Sequence, residues 1–321
     1  MICLKNRVIV LGVIITLLIA GCSPSLQTTQ AGTLTGTITI SGAFALYPMM
    51  TVWADEFHKV NPGVEFNISA GGAGKGMTDT LTGAVDIGMV SRAVKPAEEA
   101  QGAFVVGVVK DAVFPVVNEN NPSIADIMAK GIQPATFSKI FISGEIKTWG
   151  EAVGNPKNSD AIHVYTRSDA AGAADVWAQY LGGKGQADLQ GIGVNGDPAL
   201  LAAVENDALG IGYNNLGYAF DQTTGALPSG AKVIPIDING NGIADPDEIL
   251  TTMAEATAAV ANGTYPSPPA RVLNLVTNGK PLGIVQAFIV WILTDGQKFI
   301  PESGFIQLPP DMIAEALTKV K

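Results

Sequence analysis

Ser69-Ala70-Gly71-Gly72-Ala73-Gly74-Lys75-Gly76-Met77-Thr78-Asp79-Thr80-Leu81-Thr82-Gly83-Ala84-Val85-Asp86-Ile87-Gly88-Met89-Val90-Ser91-Arg92 is the stretch on which the reading of the fold turns. Glu65 to Ser69 reads as a short strand, Gly71 to Gly76 as a loop, and Lys75 to Leu81 as a helix. The first turn of such a helix has backbone N–H groups without intrahelical acceptors. Together with the helix dipole they attract negative charge into the loop. Taken alone, a glycine-rich turn serves equally well as a tight connection between strand and helix.

The alternation continues on both sides. Gly36 to Ser41 reads as a strand and Leu46 to Asn61 as a helix; Val105 to Val109 and Ala112 to Asn118 read as two buried strands, the second closed by the turn cluster Asn118-Glu119-Asn120-Asn121-Pro122. Helices follow over Ser123–Ala129, Thr136–Ser143, Thr148–Val153 and Ala174–Leu181, with strands over Asp160–Tyr165 and Gly210–Asn214. Tyr265-Pro266-Ser267-Pro268-Pro269 stops any helix and favours extended chain; Arg271 to Thr277 then reads as a strand and Gly283 to Thr294 as a buried helix. No period repeats along the chain.

With 321 residues, 47% hydrophobic content and a formal net charge of −10, the chain has material for two cores and an acidic surface that argues against nucleic acid. Met1 to Gly21 carries Lys5 and Arg7, an apolar run from Val8 to Ala20, and then Ile19-Ala20-Gly21-Cys22. This is the pattern of a secretory leader with a lipoprotein-type cleavage box, and the run is shorter than the roughly 20 residues a membrane span needs. Cleavage leaves Cys22 as the lipidated first residue and residues 22–33 as a polar tether; loss of the two cations takes the charge from −10 to −12. Cys3 goes with the leader, so the folded body has no free thiol for redox or metal chemistry.

Ser41-Gly42-Ala43-Phe44-Ala45-Leu46-Tyr47-Pro48, Trp53, the glycine loop, Asp86-Ile87-Gly88 with Ser91-Arg92, Arg167-Ser168-Asp169-Ala170-Ala171-Gly172-Ala173, and Gly279-Lys280-Pro281 through Gly304-Phe305 together resemble, in order and spacing, the phosphate-type periplasmic solute-binding proteins of ABC importers. The resemblance implies an α/β, two-lobed periplasmic binding protein fold of type II, with two interleaved lobes joined by two crossing segments and a ligand cleft between them. It places lobe 1 in residues 34–112 and 265–321 and lobe 2 in 113–264.

By the same resemblance an anion is held by Ser41, Ala43, Phe44, Ala45, Ala73, Gly74, Ser91, Arg92, Arg167, Ala171, Gly172 and Ala173, largely through backbone N–H groups, with Lys75 as a possible third cation. Ala43, Ala45, Ala73, Ala171 and Ala173 stand where serine or threonine is expected, and Arg92 where some relatives place an aspartate. Each lost hydroxyl bond to a charged group costs about 1.5–3 kcal/mol unless it is replaced. Water bridging to phosphate, or a pocket enlarged for an organic phosphate or a larger oxyanion, both remain open.

Asp237-Ile238-Asn239-Gly240-Asn241-Gly242-Ile243-Ala244-Asp245-Pro246-Asp247-Glu248 matches a twelve-residue EF-hand loop. Asp237, Asn239, Asn241, Asp245 and Glu248 would give side-chain oxygens, Ile243 its carbonyl, and Gly242 the sharp turn. With a strand at Lys232–Ile236 before it and a helix over Pro246–Asn262 after it, the loop suits a structural Ca2+. The competing reading is a hairpin turning at Asn239-Gly240 or Asn241-Gly242.

An enzyme is not expected. His58 and His163 are the two histidines, and no nucleophile elbow, paired-carboxylate or zinc-protease motif is present. Trp149, Trp177 and Trp291 read as packing residues. The expected protein is a monomeric, lipid-anchored receptor on the extracytoplasmic face or in the periplasm, delivering phosphate or a related anion to an ABC permease. A surface signalling or adhesion module that has lost its ligand is the alternative, and phosphoester hydrolysis ranks below both.

Overall fold

The computed structural model describes residues 34–321, so the leader, Cys22 and the tether lie outside the described residues. The chain builds half a lobe, crosses, builds a second lobe, and returns. Strand β1 (Gly36–Gly42) leads to helix α1 (Tyr47–Val60), β2 (Val64–Ala70), α2 (Ala73–Leu81), β3 (Ile87–Val90) and the short α3 (Pro96–Ala100). The parallel β1·β2 and β1·β3 pairs put Ile38 and Ile40 opposite Phe66, Ile68 and Ile87. Ile38, Ile40, Ile87, Trp53 and Phe57 are buried in one core.

Strand β4 (Ala103–Asn118) makes the crossing as a single 16-residue element. The two strands expected over 105–109 and 112–118 are therefore one. Lys110 and Asp111 suggest a break, yet Lys110 bridges to Ile306 and buried Asp111 sits opposite Arg271, so the ladder runs through both charges. The first part of β4 pairs antiparallel with β9 of the return limb; from Val113 onward it pairs with β7 and β8 of the second lobe.

The second lobe holds α4 (Ile124–Lys130), α5 (Pro134–Ser138) continuing into a π-turn at Lys139–Ser143, α6 (Trp149–Val153), β5 (His163–Arg167), α7 (Gly172–Tyr180), β6 (Ile192–Val194), α8 (Gly196–Glu205), β7 (Gly210–Asn215), α9 (Leu216–Ala219), β8 (Ala231–Val233) and α10 (Met253–Asn262). Trp149, Trp177, Phe137, Phe141 and Tyr213 fill its core, and Trp177 stacks on Tyr213 at 5.9 Å. The helix expected over 246–262 begins only at Met253. Thr252 caps it and Glu255 closes the capping box, so the segment from Pro246 stays in turns. β8 ends at Val233, short of the expected Ile236, which instead makes an isolated bridge to Ile132.

The return limb is β9 (Ala270–Asn278), α11 (Gly283–Ile292) and α12 (Pro310–Val320). Strand order is β2-β1-β3-β9-β4-β7-β5-β6, with β8 on β4. Trp291 packs against Phe57, Phe288 and Phe299 in the first lobe. Among the described residues no helix is long and apolar enough to cross a membrane.

Candidate functional site

Where β1, β2, β5 and β6 stop, the loops after them face one another from the two lobes. They close around a tight, largely filled space lined by Ala43, Phe44, Ala45, Gly72, Ala73, Ser91, Arg167, Ala171, Gly172, Ala173, Asp197 and Asn215.

Helix α2 starts at Ala73 rather than Lys75. Gly72, at φ 92°, takes the left-handed turn that lets the strand end run straight into the helix. The N–H groups of Phe44, Ala45, Ala73, Gly172 and Ala173 meet no acceptor among the described residues; they open a 3-10 turn and the helices α2 and α7. Free donors and helix N-termini from both lobes thus converge on one small space.

Arg167, almost fully buried, supplies the full positive charge in this lining. Its Nε and Nη2 donate to Asp169 Oδ1 and Oδ2 at 2.7 and 2.6 Å, its Nη1 donates to Asp197 Oδ2 at 2.5 Å, and its face lies 5.2 Å from the centre of the Phe44 ring. Burial pulls the guanidinium pKa down, but Asp197 and Asp169 outweigh it and hold the pKa above the ordinary arginine value. Asp197 is wholly buried; its Oδ1 accepts from the backbone N–H and the side-chain amide of Asn215 at 3.1 and 2.7 Å.

Of the residues expected at an anion site, Ala43, Phe44, Ala45, Ala73, Ser91, Arg167, Ala171, Gly172 and Ala173 come together around the cavity. Ser41, Gly74 and Arg92 do not line it. Ser41 Oγ donates to Asp79 Oδ2 at 2.7 Å, and Lys75 pairs with the same carboxylate. Burial opposes the charge on Asp79, yet Lys75 and Ser41 hold its pKa below the usual range. Gly74 N–H donates across the cleft to the Ala170 carbonyl at 2.9 Å.

Arg92, itself buried, forks onto Glu98 at 2.9 and 2.6 Å and lies 3.4 Å from Asp175 of the other lobe. The Glu98 bond raises its pKa. The N–H of Ala171, an expected donor, is taken by Gln186 Oε1.

Gly72 belongs to the glycine loop, whereas Asp197 and Asn215 are lining residues that the sequence motifs do not single out. Asp197 opens α8, whose Asn195-Gly196-Asp197-Pro198 start is a legible helix signal, but its partner Arg167 is thirty residues away.

A family model described as a PBP superfamily domain matches residues 27–296. The chain belongs to the PBP superfamily. Its α/β fold is accordingly the two-lobed binding-protein fold, and the resemblance to phosphate-type solute-binding proteins holds along the chain.

Relatives include the phosphate-binding proteins PstS of Bacillus subtilis, 26% identical over 84% of this chain and 80% of its own, and of Methanocaldococcus jannaschii, 27% identical over 88% and 86%. Among solved structures, a Clostridium perfringens ABC transporter substrate-binding protein with bound phosphate superposes with a TM-score of 0.68 at 23% identity, covering 85% of this chain and all of that one. A phosphate transport receptor of Vibrio cholerae gives 0.61 at 20%, covering 85% and 100%. These two structures show a shared fold.

Away from the cleft, the loop 237–248 draws its side chains inward. Asp237, nearly fully buried, accepts from the N–H groups of Gly240 (2.7 Å), Asn241 (3.1 Å) and Gly242 (2.9 Å) and from Gln133 Nε2 (3.1 Å). Glu248 accepts from Ile238 N–H at 2.8 Å and Asp245 N–H at 3.1 Å, and the amides of Asn239 and Asn241 both reach Asp245. This all-oxygen set with three carboxylates suits a hard cation such as Ca2+. In the present geometry the carboxylates are turned to N–H donors, and among the described residues no group of three or more His, Cys, Asp or Glu is placed to hold a metal.

His163 Nδ1 lies 2.7 Å from Asp207 Oδ2 in an exposed pair with Tyr165, and His58 Nδ1 meets the Val64 carbonyl. Neither histidine is part of the cavity lining.

Proposed function

We propose that the chain is an extracytoplasmic solute receptor that closes on one small oxyanion, phosphate first, and delivers it to an ABC permease. The observation that carries this reading is the convergence of the N–H groups of Phe44, Ala45, Ala73, Gly172 and Ala173, which meet no acceptor among the described residues, with the Arg167 guanidinium around one space between the lobes. The names of the relatives, phosphate-binding proteins, support phosphate as the first ligand to try. Backbone donors stand in for the hydroxyls that the alanines lack.

Two further parts of the reading concern where the receptor sits and what steadies it. Lipidation at Cys22 would hold it, as a monomer, at the membrane, and Ca2+ in the 237–248 loop would brace the second lobe. Both rest on the sequence motifs. Loss of membrane association in Cys22→Ser, with the folded body intact, is the expected result for the anchor.

A second reading is favoured by one observation: Arg167 is already paired with two carboxylates, and one cation against two anions leaves the cluster without net positive charge. A ligand-free module keeping the fold would look the same. Isothermal titration calorimetry of the leaderless chain with phosphate, sulfate, arsenate and molybdate separates the two. Saturable 1:1 phosphate binding is expected, and silence toward all four anions would establish the ligand-free module.

A further inference from the structure

Behind the cavity, the two crossing strands meet at a buried pair of charges. Asp111 on β4 and Arg271 on β9 are register partners, one step before Ala112 pairs with Ala270 at the crossing. Asp111 is 1% exposed, and Arg271 Nη1 lies 3.1 Å from its Oδ2.

The hydrogen bonds of this guanidinium go elsewhere. Nε donates to the carbonyl of Ser91 at 3.2 Å and Nη2 donates to Asn215 Oδ1, while among the described residues Nη1 and Asp111 Oδ2 meet in the ion pair and have no other partner. Were Arg271 only the counter-ion of Asp111, its fork would clasp the carboxylate as the fork of Arg167 clasps Asp169. Instead Asp111 neutralises it from below and its donors reach the two walls of the cavity. Ser91 follows β3 in the first lobe; Asn215 ends β7 in the second. Asn215 in turn binds Asp197, which holds Arg167.

We infer that Arg271, held in place by Asp111, is a positioning residue that fastens the first-lobe wall of the cavity to the second-lobe wall and thereby sets the closure of the cleft. The inference rests on reading the cavity as an anion site, but closure is measurable without ligand. Lysine has neither the planar fork nor its fixed donor angles, so Arg271→Lys keeps the charge and loses one of the two walls.

Spin labels on cysteines introduced at the exposed positions Lys95 and Lys184, which flank the cleft mouth, report the lobe separation in a Cys22→Ser background. The expected result for Arg271→Met is a longer, broader label-to-label distance in the free protein, a phosphate affinity weaker by roughly tenfold or more, and partial recovery of both in Arg271→Lys.

Removing one partner of a buried pair can prevent folding, so Asp111→Asn/Arg271→Met, which leaves no uncompensated charge, is measured beside it. If the folded variants keep the parent's distance distribution, Arg271 does not set closure and the inference is overturned. If the parent itself binds no phosphate, the receptor reading fails and the label distances alone still decide the inference.

Discussion

Arg167 Nη1 stands 2.5 Å from Asp197 Oδ2 in the wall of the cavity, and the opposite edge of the same guanidinium is clasped by Asp169. Three of its donors are therefore used by the protein, leaving the remaining N–H bonds and the charge itself to an incoming anion. The carboxylates fix the fork in position and also temper its pull, so on the proposed reading an anion would gain most of its hold from backbone N–H groups.

Replacing Arg167 strips the cation from two buried carboxylates at once. Arg167→Met is expected to lower stability by about 3–5 kcal/mol, the usual consequence of leaving a buried charge unpaired. It is also expected to abolish calorimetric phosphate binding. Arg167→Lys is expected to recover most of the stability but little of the affinity. Urea unfolding beside the titration separates the two effects.

Glycines let the lobes meet. A Cβ on Gly172 would come within 2.6 Å of the Ser91 carbonyl oxygen, and one on Gly196 within 2.7 Å of the Phe44 ring, each reaching from the second lobe to the first. Gly172→Ala is the cleaner test, since Gly196 also has a left-handed φ of 83° that penalises any side chain. Gly172→Ala is expected to leave the melting temperature nearly unchanged, enlarge the radius of gyration seen by small-angle scattering, and weaken phosphate binding by about 1–3 kcal/mol, as a steric overlap in a packed interface does.

Burial pushes the Asp111 carboxyl up to about 6, against the pull of Arg271. Arg271 and, further off, Asp197 are the charged groups acting on it, with Tyr265 close by. A carboxyl whose folded pKa lies above its unfolded value of 3.8 binds more protons in the folded state. Its contribution to stability is full below 3.8 and is lost as pH rises through about 6.

The loss corresponds to about 3 kcal/mol from Asp111 alone. Asp111→Asn stays neutral throughout, so the difference in unfolding free energy between variant and parent is expected to shift in the variant's favour by most of that amount between pH 4 and pH 7. A difference that stays constant across this range would show that Arg271 holds Asp111 ionised throughout.

Local signals carried far in this chain. Short-range signals mark the glycine loop around Ala73 as a helix start, the resemblance adds Ala43 to Ala45 and Ala171 to Ala173, and the structure brings all of them together. Charges were harder to place, because a charged side chain is positioned by its partner. Arg92 lies beside Ser91 in sequence, but Glu98 six residues on holds it away from the cavity lining. Asp197 enters the cavity through Arg167, and Arg271 reaches its walls only because β4 and β9 pair across 160 residues. No local pattern encodes such partnerships. Likewise Lys110-Asp111 looks like a strand break until the opposing strand supplies an arginine.

Calcium is the last dependence to test. The 237–248 loop is tied to the second lobe by Asp237 N–H to the Ile132 carbonyl at 3.2 Å and by Ala244 N–H to the Ala129 carbonyl at 3.0 Å. A cation drawing Asp237, Asp245 and Glu248 together would stabilise that lobe through these bonds. At a free Ca2+ concentration a hundredfold above Kd the gain is about 2.7 kcal/mol, and for a protein of this size that raises the melting temperature by roughly 4–5 °C. Glu248→Gln and Asp237→Asn are expected to erase the calcium-dependent increment. Mg2+, which is smaller and demands stricter octahedral geometry, is expected to give less of it. A melting temperature equal in chelator and in millimolar Ca2+ would show that the N–H groups now facing these carboxylates suffice to hold the loop, and would leave it a turn.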